Sequence, residues 1–250
     1  MFYSLTKYIS PVILPFTAIY LFLFGIDYSE IVGINVGNGI APNPMKKELL
    51  ISGPSEEVDK KTGKPFYKIY SLNFENGKWC CQHEVPFSSK FNDYHPVFSP
   101  DGDWIYFNSD RPIPGKNNKS AKINIWRFNY SKKKWADPEY LSSINSSNHE
   151  SYPSLTQEGT LYFNSDRPGG KGSMDIYKSE LKDGEFSKPI PIEELNTTDS
   201  ENDLAVDPQE RFLIFNRYLF ADKEIELFIS YNKGGIWTEA EPLAQINKKG

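Results

Sequence analysis

The side chains best equipped for chemistry come in pairs, and the pairs recur. Asp110 and Arg111 close the run Ile105-Tyr106-Phe107-Asn108-Ser109-Asp110-Arg111-Pro112, and Asp166 and Arg167 close Leu161-Tyr162-Phe163-Asn164-Ser165-Asp166-Arg167-Pro168. A worn copy, Leu213-Ile214-Phe215-Asn216-Arg217-Tyr218, keeps an arginine. A guanidinium grips a carboxylate with two parallel hydrogen bonds, so Asp110, Arg111, Asp166, Arg167 and Arg217 are candidates for binding an anionic or peptide ligand on a rim. In the competing reading each aspartate bonds its own backbone in a turn and each arginine ties neighbouring elements together. Recurrence favours the second, because a feature present in every repeat is generally what builds the repeat.

The remaining reactive residues form no recognisable constellation. His83, His95 and His149 lack H-E-x-x-H or C-x-x-C company, so no metal site is expected of them. Cys80 and Cys81 are the only cysteines. On a strand, neighbours point to opposite faces and bridge only through a strained ring, so they read as an ordinary strand pair. There is no G-x-S-x-G elbow. Ser230-Tyr231-Asn232-Lys233-Gly234-Gly235-Ile236-Trp237 resembles a sialidase Asp-box with Asn232 in place of Asp, a motif that stabilises a hairpin. Hydrolysis would further need a positioned carboxylate pair or an activated tyrosine, and the sequence singles out neither. No catalytic residue, metal or cofactor is expected.

The elements that position these groups repeat as well. Trp135, Phe186 and Trp237 are spaced by 51 residues, since 186 − 135 and 237 − 186 give the same value, and Trp79 precedes them by a slightly longer step. Ile144-Asn145, Leu195-Asn196 and Ile246-Asn247 keep the same spacing. Such a period signals a repeat architecture. Each unit divides into four short strands, with Asp-Gly and Asn-Gly turns between apolar runs; His95-Pro96 and Tyr152-Pro153 hold the same place in the first strand, and Phe186 and Trp237 open the fourth. The second strands, such as Trp104-Ile105-Tyr106-Phe107, are apolar on both faces and want cover on both sides. Sheets stacked around an axis supply it. The sequence therefore predicts an all-β chain, a β-propeller of about four four-stranded blades in units of about 41–92, 93–145, 146–196 and 197–247. This domain, 31–250, follows a hydrophobic N-terminal segment, 1–30, expected to be helical. Trp79, Trp135, Phe186 and Trp237 are expected to pack as structural blade positions.

Residues 8–26 carry no charge, with Lys7 before them and Asp27 and Glu30 after, a length suited to a bilayer-spanning helix. The end of the run has no small-residue cleavage pattern. The positive-inside bias then leaves the rest of the chain in the periplasm or outside the cell. A cleaved signal peptide and a secreted product are the alternative. The net charge of -5 gives no basic footprint, so nucleic acid is not an expected partner.

The motifs Ser99-Pro100-Asp101-Gly102, Ser109-Asp110-Arg111, Ser165-Asp166-Arg167 and Asp175-Ile176-Tyr177 resemble the TolB-type, WD40-like propeller repeat. The resemblance covers about residues 41–247. It implies a protein of the bacterial cell envelope, exported, membrane-anchored through its N-terminal segment, and serving as a non-enzymatic binding or scaffold module. Another envelope protein or peptide is the implied partner. The alternative is a carbohydrate-active or other hydrolytic propeller enzyme, related blades also gating some serine peptidases.

Overall fold

The computed structural model describes residues 39–88, 90–116, 122–131, 137–244 and 246–247. The expected anchor or signal segment and Trp135 lie outside the described residues. Those described contain strands, turns and no helix.

Four antiparallel meanders follow one another. The first is β1 (Ile40–Pro42), β2 (Glu48–Val58), β3 (Pro65–Glu75) and β4 (Lys78–Glu84). The second is β5 (Asp93–Phe98), β6 (Trp104–Ser109), β7 (Asn124–Asn129) and β8 (Glu139–Tyr140). In the third, β9 (Glu150–Leu155), β10 (Leu161–Ser165) and β11 (Asp175–Ser179) are joined by β14 (Ile190–Pro191), after a separate ribbon of β12 (Leu181–Lys182) and β13 (Glu185–Phe186). The fourth contains β15 (Ser200–Val206), β16 (Phe212–Leu219), β17 (Glu224–Lys233), β18 (Ile236–Trp237) and β19 (Glu241–Pro242).

The sheets stack face to face. Leu50, Ile69, Phe107 and Trp126 belong to the core between the first two sheets. Tyr106, Ile125, Leu161 and Phe163 belong to the next, and Tyr162, Ile176, Leu213 and Phe215 to the last. Alternation along β10 sends Leu161 and Phe163 to one neighbour and Tyr162 to the other, which is why the second strands are apolar throughout. The first strands touch in series, β1 to β5 to β9 to β15, and the fourth strands make no comparable contact with one another. The sheets thus fan out from a common inner edge.

One strand assignment is corrected. The sequence places Phe186 and Trp237 in the fourth strands of their units, whereas both sit on short ribbons before those strands. Asp183 and Gly184, with φ of 53° and 83°, make a tight left-handed turn that matches strand twist, and the ribbon swings its aromatic back onto the preceding sheet. Phe186 meets Tyr106 edge-on at 6.2 Å, and Trp237 meets Tyr162 at 6.0 Å. Trp79 sits within β4 itself and packs on Phe74 of its own sheet at 5.2 Å.

Candidate functional site

The repeated polar residues are largely spoken for by the framework. Asn145 accepts from the backbone N–H of Ile125 and donates to its carbonyl, at 2.8 Å each. Asn196 does the same with Ile176, and Asn247 with Leu227. A side-chain amide, with one donor and one acceptor face, thus substitutes for a missing strand partner 20 residues back. The 51-residue recurrence of asparagine has its cause here. In the first sheet Ser88 accepts from the Ile69 N–H instead.

The arginines lie inward. Arg111 donates to both carboxylate oxygens of buried Asp93 at 2.8 Å, to Ser109 and to the Phe87 carbonyl. Arg167 reaches Glu150, Ser165 and the Ile144 carbonyl. Each guanidinium also stacks near two core aromatics, Phe107 and Trp126 or Phe163 and Tyr177. Arg217 starts two residues earlier along its strand, directly opposite Glu201, yet reaches the equivalent acid and carbonyl, Glu201 and Leu195. Burial pushes the Glu150 and Glu201 carboxyls up against the pull of Arg167 and Arg217. Asp110 accepts from the backbone and side chain of Asn92, and Asp166 accepts from the His149 N–H. All five side chains therefore hold the ends of their own sheets.

A different position gathers chemistry at the inner edge. In β5, two residues, His95 and Pro96, oppose one on β6, and the same two-to-one bulge occurs at Tyr152-Pro153 and Asp203-Leu204. His95, Tyr152 and Asp203 have φ of 48°, 53° and 46°, and Gly39 stands at the corresponding place before β1 with φ of 154°. A proline after a bulge residue costs no ladder hydrogen bond, which explains His-Pro and Tyr-Pro inside strands. A side chain at positive φ is uncommon and costs about 1–3 kcal/mol. At Gly39 the restriction is also steric, because an added Cβ would stand 2.9 Å from the His95 Cα.

Because first strands touch, these bulge residues form a row. The His95 and Tyr152 rings lie 4.3 Å apart, and Tyr94 meets His95 edge-on at 4.9 Å. Asn108 links the two sheets, accepting from the Tyr152 N–H at 3.1 Å and donating to the Glu150 carbonyl at 3.0 Å. Asp203 lies close enough to Tyr152 for its charge to bear on the phenol, and it accepts from Asn216 at 2.5 Å. Burial lowers His95 to about 4, leaving a neutral imidazole whose Nδ1 is buried without a hydrogen-bond partner. Burial raises Asp203 despite its donors, and raises Tyr152, helped by the Asp203 charge. The row offers aromatic faces, a neutral imidazole and a carboxyl readier than usual to hold its proton. The sequence paired His95 with Tyr152 as one blade position, but Asp203, followed by Leu, carried no such signal.

His149 accepts from the Ile123 N–H through Nδ1, and Asn232 accepts from Gly235 in its hairpin, as an Asp-box residue would. The reading of Cys80 and Cys81 as facing opposite ways is corrected. Cys81 has φ of 60° at a shift in the β3–β4 ladder, which breaks the alternation and brings the two sulfurs to 2.6 Å.

No protein-family model matches the chain, and no curated protein does. Among solved structures, a protein assigned as TolB from Agrobacterium tumefaciens is similar at 14% identity and a TM-score of 0.53, over 81% of this chain and 60% of that one. The fold is that of a TolB-like β-propeller. A puromycin-hydrolysing peptidase of Mycobacterium tuberculosis matches at 13% identity and 0.50, over 82% of this chain and 28% of the peptidase. An oligogalacturonate lyase in complex with manganese matches at 13% identity and 0.48, over 80% and 51%. The chain thus spans less than two thirds of the length of these propeller proteins. The expectation that it is not an enzyme is corrected, because the same fold belongs to a chain named as a peptidase. The propeller by itself gives no ground for excluding catalysis.

Proposed function

We propose that the chain is a propeller-built binding module of the bacterial cell envelope, of about four blades, that takes a segment of another envelope protein over the row of His95, Tyr152 and Asp203. One observation carries the reading: a single strained backbone position holds three different functional side chains side by side across three adjoining sheets. Residues held in sparsely populated conformations cluster at ligand clamps. Stacking faces on Tyr94, His95 and Tyr152 beside the amides of Asn108 and Asn216 suit a polypeptide, whose peptide groups both donate and accept. The uncharged run at residues 8–26 supports export and anchoring.

Crosslinking in the native envelope, followed by mass spectrometry, tests this. Tyr152→Ala and His95→Ala should remove the partner's crosslinks, while Lys182→Ala, on an exposed ribbon, keeps them. Crosslinks unchanged in both axial variants would overturn the assignment. The anchor is tested separately: the protein should stay in the membrane pellet through a high-salt wash, and a shortened soluble form would mean cleavage.

A second reading rests on Asp203. A carboxyl pushed up by burial is suited to general-acid work, and a hydrolase would show turnover of a peptide or glycoside panel that Asp203→Asn abolishes.

A further inference from the structure

The cysteine pair lies on the fourth strand of the first sheet, at the opposite edge from the axial row, and the reading above makes no use of it. Two adjacent thiols share one side of β4 only because Cys81 adopts a left-handed conformation where Cys81 and Gln82 together oppose one residue of β3. The Glu75 carboxylate, two residues along β3 from the partner of Cys80 and beside the hairpin turn, reaches the same spot. One carboxylate oxygen and both sulfurs all lie within 4.8 Å of one another. Glu75 and Cys81 are exposed and Cys80 is half-buried, so a solute can approach.

We propose that Glu75, Cys80 and Cys81 bind a thiophilic divalent cation such as Zn²⁺ or Cd²⁺. Thiolates select soft and borderline metals, and a carboxylate is a common companion ligand. Binding forms two metal–sulfur bonds and one metal–oxygen bond and releases the two thiol protons to solvent, with no change in oxidation state. At a metal–sulfur distance of about 2.3 Å, tetrahedral geometry sets the sulfurs roughly 3.7 Å apart. They must therefore separate by about 1 Å on binding, which rotation of two accessible side chains allows. A disulfide fits the same residues less well. The Cα atoms of sequence neighbours are about 3.8 Å apart, inside the roughly 4.4 Å lower limit of ordinary bridges, and a bridge would give the carboxylate no part.

The test is a Cd²⁺ titration of the reduced full-length protein, its thiols counted beforehand, followed by the ultraviolet sulfur-to-cadmium charge-transfer band. One equivalent should saturate the band, and Zn²⁺ should displace it. Cys80→Ser and Cys81→Ser should each abolish tight binding, and Glu75→Gln should weaken it at least tenfold, roughly the low end of what losing even an outer-shell partner costs. Unchanged melting temperatures would show that the variants fold. Absence of the band in the wild-type protein, its survival in either serine variant, or an unchanged affinity in Glu75→Gln would overturn the site.

Discussion

Two sets of residues occupy equivalent places in successive sheets and differ in one respect. Asn145, Asn196 and Asn247 are the same amino acid making the same two hydrogen bonds to the third strand. His95, Tyr152 and Asp203 share a bulged, positive-φ backbone conformation and nothing else. In the first set the fold needs the side chain, so the residue type repeats. In the second it needs only the bulge, which leaves the side chain open to other uses. A repeated residue on repeated geometry marks the framework, and a changing residue on repeated geometry marks where a site can be built.

The largest expected effects break that comparison on its framework side. Arg111→Ala removes the guanidinium that pairs with the buried Asp93 carboxylate, a loss of about 3–5 kcal/mol. Trp237→Ala empties the space against Tyr162 at a cost of about 3–5 kcal/mol. Urea denaturation measures both, and a change no larger than that of an exposed-site variant would move the residue out of the framework. Asn196→Ala strands the buried N–H of Ile176, whose C=O keeps the Ile192 N–H, for about 1–3 kcal/mol by the same assay.

The axial row should respond differently. An ordinary histidine titrates near 6.5, and burial lowers His95 to about 4. Between these values the unfolded chain binds the extra proton, so this residue's contribution to stability is complete above about pH 6.5 and is lost as the pH falls toward 4. His95→Gln should flatten the dependence of the urea midpoint across that window. Asp203, pushed up by burial, acts in the opposite direction above roughly pH 4, so the difference between wild type and variant is the quantity to compare. A variant curve parallel to wild type would mean that His95 titrates normally. The smallest stability effect is expected for Tyr152→Phe, about 1 kcal/mol or less for removing one polar hydroxyl, and partner crosslinking should suffer more than folding does. The reverse order would place Tyr152 with the asparagines.

The second and third strands could be read directly from the chain, because Ile105-Tyr106-Phe107 and Ile176-Tyr177 are apolar or aromatic between polar and turn residues. The first strands were legible only in part. They begin with acids, Asp93 and Glu150, which look like loop until their arginine partners are known. The ribbons carrying Phe186 and Trp237 cannot be told from the following strands in the sequence, since a two-residue ribbon leaves no period to detect. The convergence of Cys80 with Cys81 was hidden by the assumption of regular alternation, which one positive φ suspends.

The sequence by itself determined the period, the meander and the need to cover both faces of each second strand, all of them consequences of local pattern repeated along the chain. Tertiary structure alone decided that Arg111, Arg167 and Arg217 point at buried acids and that His95, Tyr152 and Asp203 meet. Each contact of the first kind depends on neighbours within a unit. Each of the second depends on the angle at which whole sheets fan from their inner edge, and one strand carries no record of that angle.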